Sequence, residues 1–391
     1  MQKQTIIHVH HSHKPISGEM KRIMNINNDV AAILGNTVIE VEFYSLRYYN
    51  YVKKEGHFTL SNNVNRKHYI PNLERLGFLN DIWCSLATLY IIAKYQPAYY
   101  LEEWKLPRGI QKIKSIFGSK TRIGLDLHGA APEEFEYSFG KKNRFLDNQE
   151  KRSIRQADFI ICQSDEMKRH LINKHKFNGN DIAVYRCGVD TTIFRYSSEY
   201  RNEIREKLGL HDNEILFVYS GGMHKWQKVS DTLKFYHSFH EKYPRSRLMV
   251  LTKDVDELNK IIEVANISEI KSTLIVRSLN YTDVPAYLCA ADASFLLRDN
   301  VVMNQVASPT KLAEYMACGL PVLSTKVADK WIDIDGKDFV IDIENKSIDE
   351  IEYNIRNSSK QAISDYAKTK LSLAVDRNCV QIFFKRNENI D

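Results

Sequence analysis

Apolar runs rich in β-branched residues alternate with helix-periodic stretches along almost the whole chain, and this alternation restricts its fold more than any other feature. The runs predicted as strands in the first half are TIIHVHH, TVIEVEFYSL, AYYLEE, RIGLDLH, FIICQS and IAVYRCG. In the second half they are EILFVYSG, RLMVLTK, STLIVRS, ASFLLR, LPVLST and DFVIDI. Helical patterns intervene, among them 17–34, 81–95, 142–156, 231–242 and 282–290. Strand–helix alternation calls for parallel sheets covered on both faces. Two successive series predict two doubly wound α/β domains, a count that 391 residues accommodate. The polar stretch RYSSEYRNEIREKLGLHDNE marks the seam. The expected division is 1–195, 196–365 and a C-terminal helix over 366–391.

Bulk properties exclude several classes. Cys84, Cys162, Cys187, Cys289, Cys318 and Cys379 are scattered without a CxxC pair, so neither a disulfide framework nor a zinc motif is expected. The opening MQKQTIIHVHHSHK lacks the apolar core of a signal peptide. The longest apolar run, IWCSLATLYIIA at 82–93, is too short to span a bilayer and is expected to be a buried helix. The net charge of +6 suits an anionic partner, but the charge is spread along the chain rather than gathered in a stripe, which argues against nucleic acid.

In open parallel sheets ligands sit beyond the carboxyl ends of the strands, so the loops there carry the chemistry. The first of interest is SPTKLAEYMACGLPVL, 308–323. Pro309 suits a first helical turn, and Ser308 is expected to cap it. The free N–H groups of Thr310 and Lys311 would then form an anion site to which Lys311 adds a full charge. Glu314, a turn further on, would accept from vicinal hydroxyls such as those of a ribose. The bland alternative is a capped helix with a surface Lys–Glu pair. The second loop, SGGMHKWQK, joins Gly221 and Gly222 to Lys225 and Lys228, with Ser230-Asp231 expected to cap the next helix. It suits a diphosphate, or else a solvated turn.

These stretches resemble the retaining glycosyltransferases of the GT-B fold, specifically glycosyltransferase family 4. SPTKLAEYMACGLPVLS is similar to the nucleotide-sugar signature, and YSGGMHKWQKVSDTL to the glycine–basic loop. ADFIICQSDEM with VYRCGVDTTIF resembles the end of the N-terminal domain, and IGLDLHGAAPEE the strand and loop that present a histidine. The likeness covers about residues 5–324. It implies two Rossmann-like domains facing a cleft, with the C-terminal helix crossing back to the first. It implies that Glu314 holds the donor ribose, that Lys228 contacts the diphosphate, and that Thr310 and its neighbours Ser308, Pro309 and Lys311 supply phosphate donors. Gly222 lies in the loop against the diphosphate, and His128 stands near the reacting sugar. Gly18 lies in the first strand–helix loop, and Ser278 lies where the base would meet backbone. Two positions depart from the family pattern. Val306 replaces the first glutamate of Glu-x7-Glu, with Asn304 or Gln305 as substitutes, and Met223 stands where arginine is frequent, with Lys225 to supply the charge.

HVHHSH, 8–13, has metal-binding residue types, but a strand splits them between two faces, so no metal site is expected. The basic segment 104–122 is either an amphipathic helix packed on the sheet or a membrane-surface element. The resulting expectation is a cytoplasmic, metal-independent, retaining glycosyltransferase working without a cofactor. It would move a sugar from a nucleotide-diphosphate sugar to a hydroxyl of a glycan or lipid-linked saccharide. That suits bacterial surface or capsular polysaccharide synthesis at the inner face of the cytoplasmic membrane. The alternatives are a non-catalytic GT-B partner subunit, a nucleotide-sugar 2-epimerase and a phosphorylase.

Overall fold

The computed structural model describes residues 5–12, 26–27, 29, 37–45, 64–73, 78–103, 105–116 and 118–388. Gly18, His13 and most of the helix expected over 17–34 lie outside them, as do Trp104 and Phe117. The chain divides into two compact units. Unit 1 comprises residues 1–187, 306–308 and 376–391, and unit 2 comprises 188–305 and 309–375.

Unit 1 is built on seven strands: β1 (Thr5–Ser12), β2 (Thr37–Ser45), β3 (Val64–Asn72), β4 (Tyr99–Glu103), β5 (Arg122–Leu127), β6 (Phe159–Cys162) and β7 (Ile182–Val184). Their order is β3-β2-β1-β4-β5-β6-β7 and every pairing is parallel. On one face Ile7, Val9, Ile123, Leu125 and Ile160 pack under the helices. On the other, Tyr99, Phe159 and Ile161 meet Val380, Phe383 and Phe384 of the helix Leu373–Glu388. β3 was not anticipated from the sequence, and it is an edge strand.

Unit 2 contains β8 (Ile215–Ser220), β9 (Ser246–Leu251), β10 (Leu274–Arg277), β11 (Ala293–Leu296), β12 (Val322–Ser324) and β13 (Val340–Asp342). The order β10-β9-β8-β11-β12-β13 is again wholly parallel. Alternate residues of β8 serve opposite cores: Leu216 and Val218 on one face, Ile215, Phe217 and Tyr219 on the other. Both sheets are therefore doubly wound and covered on both faces, as the strand–helix alternation requires. In both, the strand order reverses beside the first strand of the series: between β1 and β4, and between β8 and β11. Such switch points open a crevice at the carboxyl ends of the strands.

The run 82–93 is helical, within Phe78–Tyr95, but it is not buried all round. Ile91 and Ile92 face the core, while Leu79, Ile82, Trp83, Leu86 and Tyr90 form an exposed stripe at helical spacing. Among the described residues no helix is long and apolar enough to cross a membrane.

Candidate functional site

In unit 2 the switch point gathers chemistry from three elements. β8 runs into Gly221, whose φ of +138° lies in a region that glycine tolerates and other residues rarely enter. A Cβ there would stand 2.1 Å from Lys311 Nζ, so a side chain at this position would displace the lysine tip. Tyr219 OH donates to Gly222 O at 2.6 Å and fixes the turn, and Ser220 N donates to Tyr315 OH at 2.8 Å. A short turn, Lys225–Gln227, then lowers the buried Gln227 into the loop.

Lys311 belongs to the helix Thr310–Ala317. Its ammonium donates to Gln227 Oε1 at 2.9 Å and to Tyr219 OH at 3.5 Å, and lies 4.8 Å from the centre of the Tyr219 ring. Burial, and then the nearby Arg298 charge, lower its pKa to about 7 against the opposing effect of Glu314. Arg298 follows β11 and is almost fully buried. Its guanidinium donates to Gln227 Oε1 at 2.7 Å and to Leu297 O at 2.7 Å, and stacks 4.7 Å over Trp226. Two cations thus meet at one amide oxygen beside a glycine loop, where a diphosphate would find positive potential and backbone N–H groups.

The same helix ends as its sequence dictates. Gly319 has φ +78° and donates to Met316 O, and Leu320 N donates to Tyr315 O, closing the carbonyl end. Pro321 then prevents further helix, and β12 begins. At the other end the expectation for Ser308 is not met. The helix has no side-chain cap, and Ser308 Oγ instead accepts the Cys187 N–H at 3.0 Å within unit 1. Ser230 and Asp231 are not caps either. The helix Val229–Lys242 starts before them, with Lys228 in the left-handed region at φ +50°.

The remaining residues singled out from the sequence are placed as follows. Lys228 Nζ lies 2.8 Å from Asp231 and 2.6 Å from Asp299. Burial disfavours its charge, but these two carboxylates outweigh that and raise its pKa. Lys225 is exposed. Met223 is buried in the core, so no charge stands at that position and Arg298 is the cation that approaches the loop instead. Asn304 is buried, its amide donating to Asp299 O and its carbonyl accepting from Trp331 Nε1, while Gln305 donates to Asn300. Val306 is buried in unit 1, with its carbonyl accepting from Ser164 Oγ. Glu314 lies beside Tyr281, whose hydroxyl bonds to it, and burial followed by that carboxylate raises the tyrosine pKa. Ser278 is exposed just past β10. Arg298, Gln227, Tyr219 and Tyr281 were not singled out. For Arg298 the signal was its place immediately after a strand.

In unit 1, His128 follows β5. Its Nε2 is 2.8 Å from Asp126 Oδ2, and its Nδ1 is 3.3 Å from Glu103 Oε1 at the end of β4. His8, buried on β1, bonds through Nδ1 to Asn27 Oδ1 at 2.6 Å, with Nε2 3.9 Å from Asp126. Asp126 holds the His128 ring through Nε2. Among the described residues no group of three or more His, Cys, Asp or Glu is arranged to hold a metal ion. A groove of about 660 Å³ lined by His211, His240, Arg245 and Arg247 lies at the amino ends of β8 and β9, the wrong end of the sheet for this site.

Comparison with known proteins agrees with this geometry. Residues 34–193 match the model for Glycosyltransferase Family 4, and residues 200–348 match that for Glycosyl transferases group 1. The chain thus carries a domain of each of these two glycosyltransferase families, and its two doubly wound sheets have the GT-B fold. Among curated proteins, 178 residues are 22% identical to the Alpha-monoglucosyldiacylglycerol synthase of Acholeplasma laidlawii, covering 43% of this chain and 42% of that protein. A stretch of 204 residues is 24% identical to the putative teichuronic acid biosynthesis glycosyltransferase TuaC of Bacillus subtilis (strain 168), covering 52% of this chain and 46% of that one. The chain thus spans under half the length of either relative. Anabaena HepE, solved with UDP, superimposes with a TM-score of 0.68 over 98% of this chain and 100% of that one, at 15% identity.

Proposed function

We propose that the chain is a retaining transferase that takes its sugar from a nucleotide-diphosphate donor. The observation that carries this reading is the meeting of Lys311 and Arg298 at Gln227, beside the Gly221–Gly222 loop at the switch point of the second sheet. As the glycosidic bond breaks, negative charge builds on the departing diphosphate. Fixed cations and amide donors stabilise it more than they stabilise the bound donor. The helix-start amides of Thr310 and Lys311 add to this, and Glu314 accepts from the ribose once Tyr281 yields. The acceptor hydroxyl passes its proton to a phosphate oxygen on the same face, so no protein nucleophile is named. Charge neutralisation by these side chains leaves no step that calls for a divalent metal. Complexes of HepE with UDP and with UDP-glucose support the donor class.

The test is a calorimetric panel of nucleoside diphosphates and their sugars, followed by NMR of the product with and without chelator. Micromolar binding, an α-product from an α-linked donor and chelator-resistant turnover are expected. An inverted anomer removes the retaining assignment, and loss of turnover in chelator removes metal independence.

The acceptor reading is a lipid-linked saccharide at an anionic membrane surface. It is supported by the stripe Leu79, Ile82, Trp83, Leu86 and Tyr90, with Arg108 and Lys112 exposed nearby on the neighbouring segment. Leu86→Glu should abolish co-sedimentation with anionic vesicles, and undiminished sedimentation would remove this surface from the reading. A non-catalytic partner subunit is the second reading, favoured by the buried, uncharged Val306 and Met223. Donor binding without turnover on any acceptor would select it.

A further inference from the structure

Gln227 occupies an unusual electrostatic position. It is 5% exposed, and its Oε1 accepts from Arg298 Nη2 at 2.7 Å and from Lys311 Nζ at 2.9 Å, with Tyr219 OH 3.4 Å away. A glutamate would fill the same space and turn both cation bonds into ion pairs. The chain places a neutral amide at that point. We propose that Gln227 is a positioning residue that holds Lys311 beside the Gly221–Gly222 loop through an amide rather than a carboxylate, leaving the lysine to pair with an incoming diphosphate. This rests on the donor-site reading above.

Three features support it independently of that reading's chemistry. Lys311 makes its hydrogen bonds to an amide and a phenol, not to a carboxylate. Gly221 leaves room for its side chain, since a Cβ there would lie 2.1 Å from Lys311 Nζ. Lys228, the lysine of the loop itself, is by contrast held by two carboxylates, Asp231 and Asp299. The charged and titratable groups that face Lys311 are Arg298 after β11, Tyr219 on β8 and Glu314 on its own helix. Burial and Arg298 bring the lysine pKa to about 7, so near neutral pH the free protein holds part of its Lys311 as the amine. A bound diphosphate favours the ammonium, and the lysine then takes one proton from solvent.

The experiment is calorimetric titration of the full chain with UDP, and with pyrophosphate as a base-independent probe. It is run at pH 8 in two buffers of different ionisation enthalpy, alongside the ligand-free melting temperature. Wild type is expected to bind with net proton uptake. Gln227→Glu is expected to melt higher without ligand, because it gains ion pairs, yet to bind at least tenfold more weakly and without proton uptake. Lys311→Met is expected to bind weakly and also lose the uptake, which assigns the proton to that lysine. A Gln227→Glu variant that binds as tightly as wild type, or melts lower, overturns this inference alone. Persistence of proton uptake in Lys311→Met does the same. A wild-type chain that binds neither probe overturns the donor-site reading and this inference with it.

Discussion

At the scale of single residues, the site is defined by which charges are compensated and which are not. Lys228 is held by two aspartates, and Lys311 by an amide and a phenol. For Lys228 to act on a leaving diphosphate, it must exchange Asp299 or Asp231 for phosphate oxygens. Lys228→Ala is therefore expected to lower turnover by about 10²–10³, the loss typical of one transition-state donor. Wild-type kinetics in that variant would confine Lys228 to its own loop. Much of this chemistry was legible beforehand. A glycine followed by lysines after a strand, and Ser-Pro-Thr-Lys before an apolar helix, point to an anion at the switch point whether or not the side-chain contacts are known. What was not legible is that Arg298 reaches the same point from another strand. Arg298 and Gln227 are 71 positions apart in the chain, and only tertiary packing brings them together.

At the scale of elements, parallel order made the strands readable. A strand buried on both faces is almost wholly apolar, and β6 and β11 are buried along their entire length. β3 escaped notice for the complementary reason. Val64–Asn72 reads VNRKHYIPN and pairs with β2 alone, and an edge strand tolerates charge and proline that an interior strand excludes. Helix ends were less readable than strands. Ser308 and Ser230 have capping side chains, yet the chain uses neither as a cap. The glycine end of the same helix did follow the rule and gives a test. At Gly319, φ is +78° and a Cβ would lie 2.7 Å from Lys360 O. Gly319→Ala should destabilise unit 2 by about 1–3 kcal/mol, read as a lower denaturant midpoint at unchanged slope. An unchanged midpoint would mean that the turn is more yielding than its geometry suggests.

At the scale of the whole molecule, unit 1 has two vulnerabilities. In unit 1, Glu133 is bonded by Lys174 at 2.9 Å, with His170 Nε2 3.5 Å away, and Lys174 also reaches Glu150 at 2.7 Å. Burial alone would raise the Glu133 pKa, but His170 and Lys174 together lower it from 4.5 to about 2. A depressed folded-state pKa contributes stability above the unfolded value, and that contribution is lost as pH falls through the window from about 4.5 to 2. Melting temperature should therefore drop more steeply across that window in wild type than in Glu133→Gln, and parallel curves would refute the linkage. The second vulnerability is aromatic. Phe384 is 2% exposed and meets Tyr99 edge-on at 4.9 Å and Phe159 at 5.9 Å. Phe384→Ala should cost about 3–5 kcal/mol, measured by chemical unfolding of unit 1. A loss below 1 kcal/mol would show that the face closes by other means.

That aromatic contact also bears on the order in which the protein can be made. Phe384 emerges from the ribosome almost two hundred residues after Cys187, which closes the continuous part of unit 1, and at about 5–20 residues per second the wait is roughly ten to forty seconds. Throughout that interval Tyr99 and Phe159 have no Phe383 or Phe384 to cover them, so the nascent first sheet presents a sticky aromatic face during synthesis. The growing chain should therefore depend on a holding chaperone during translation far more than the finished protein does.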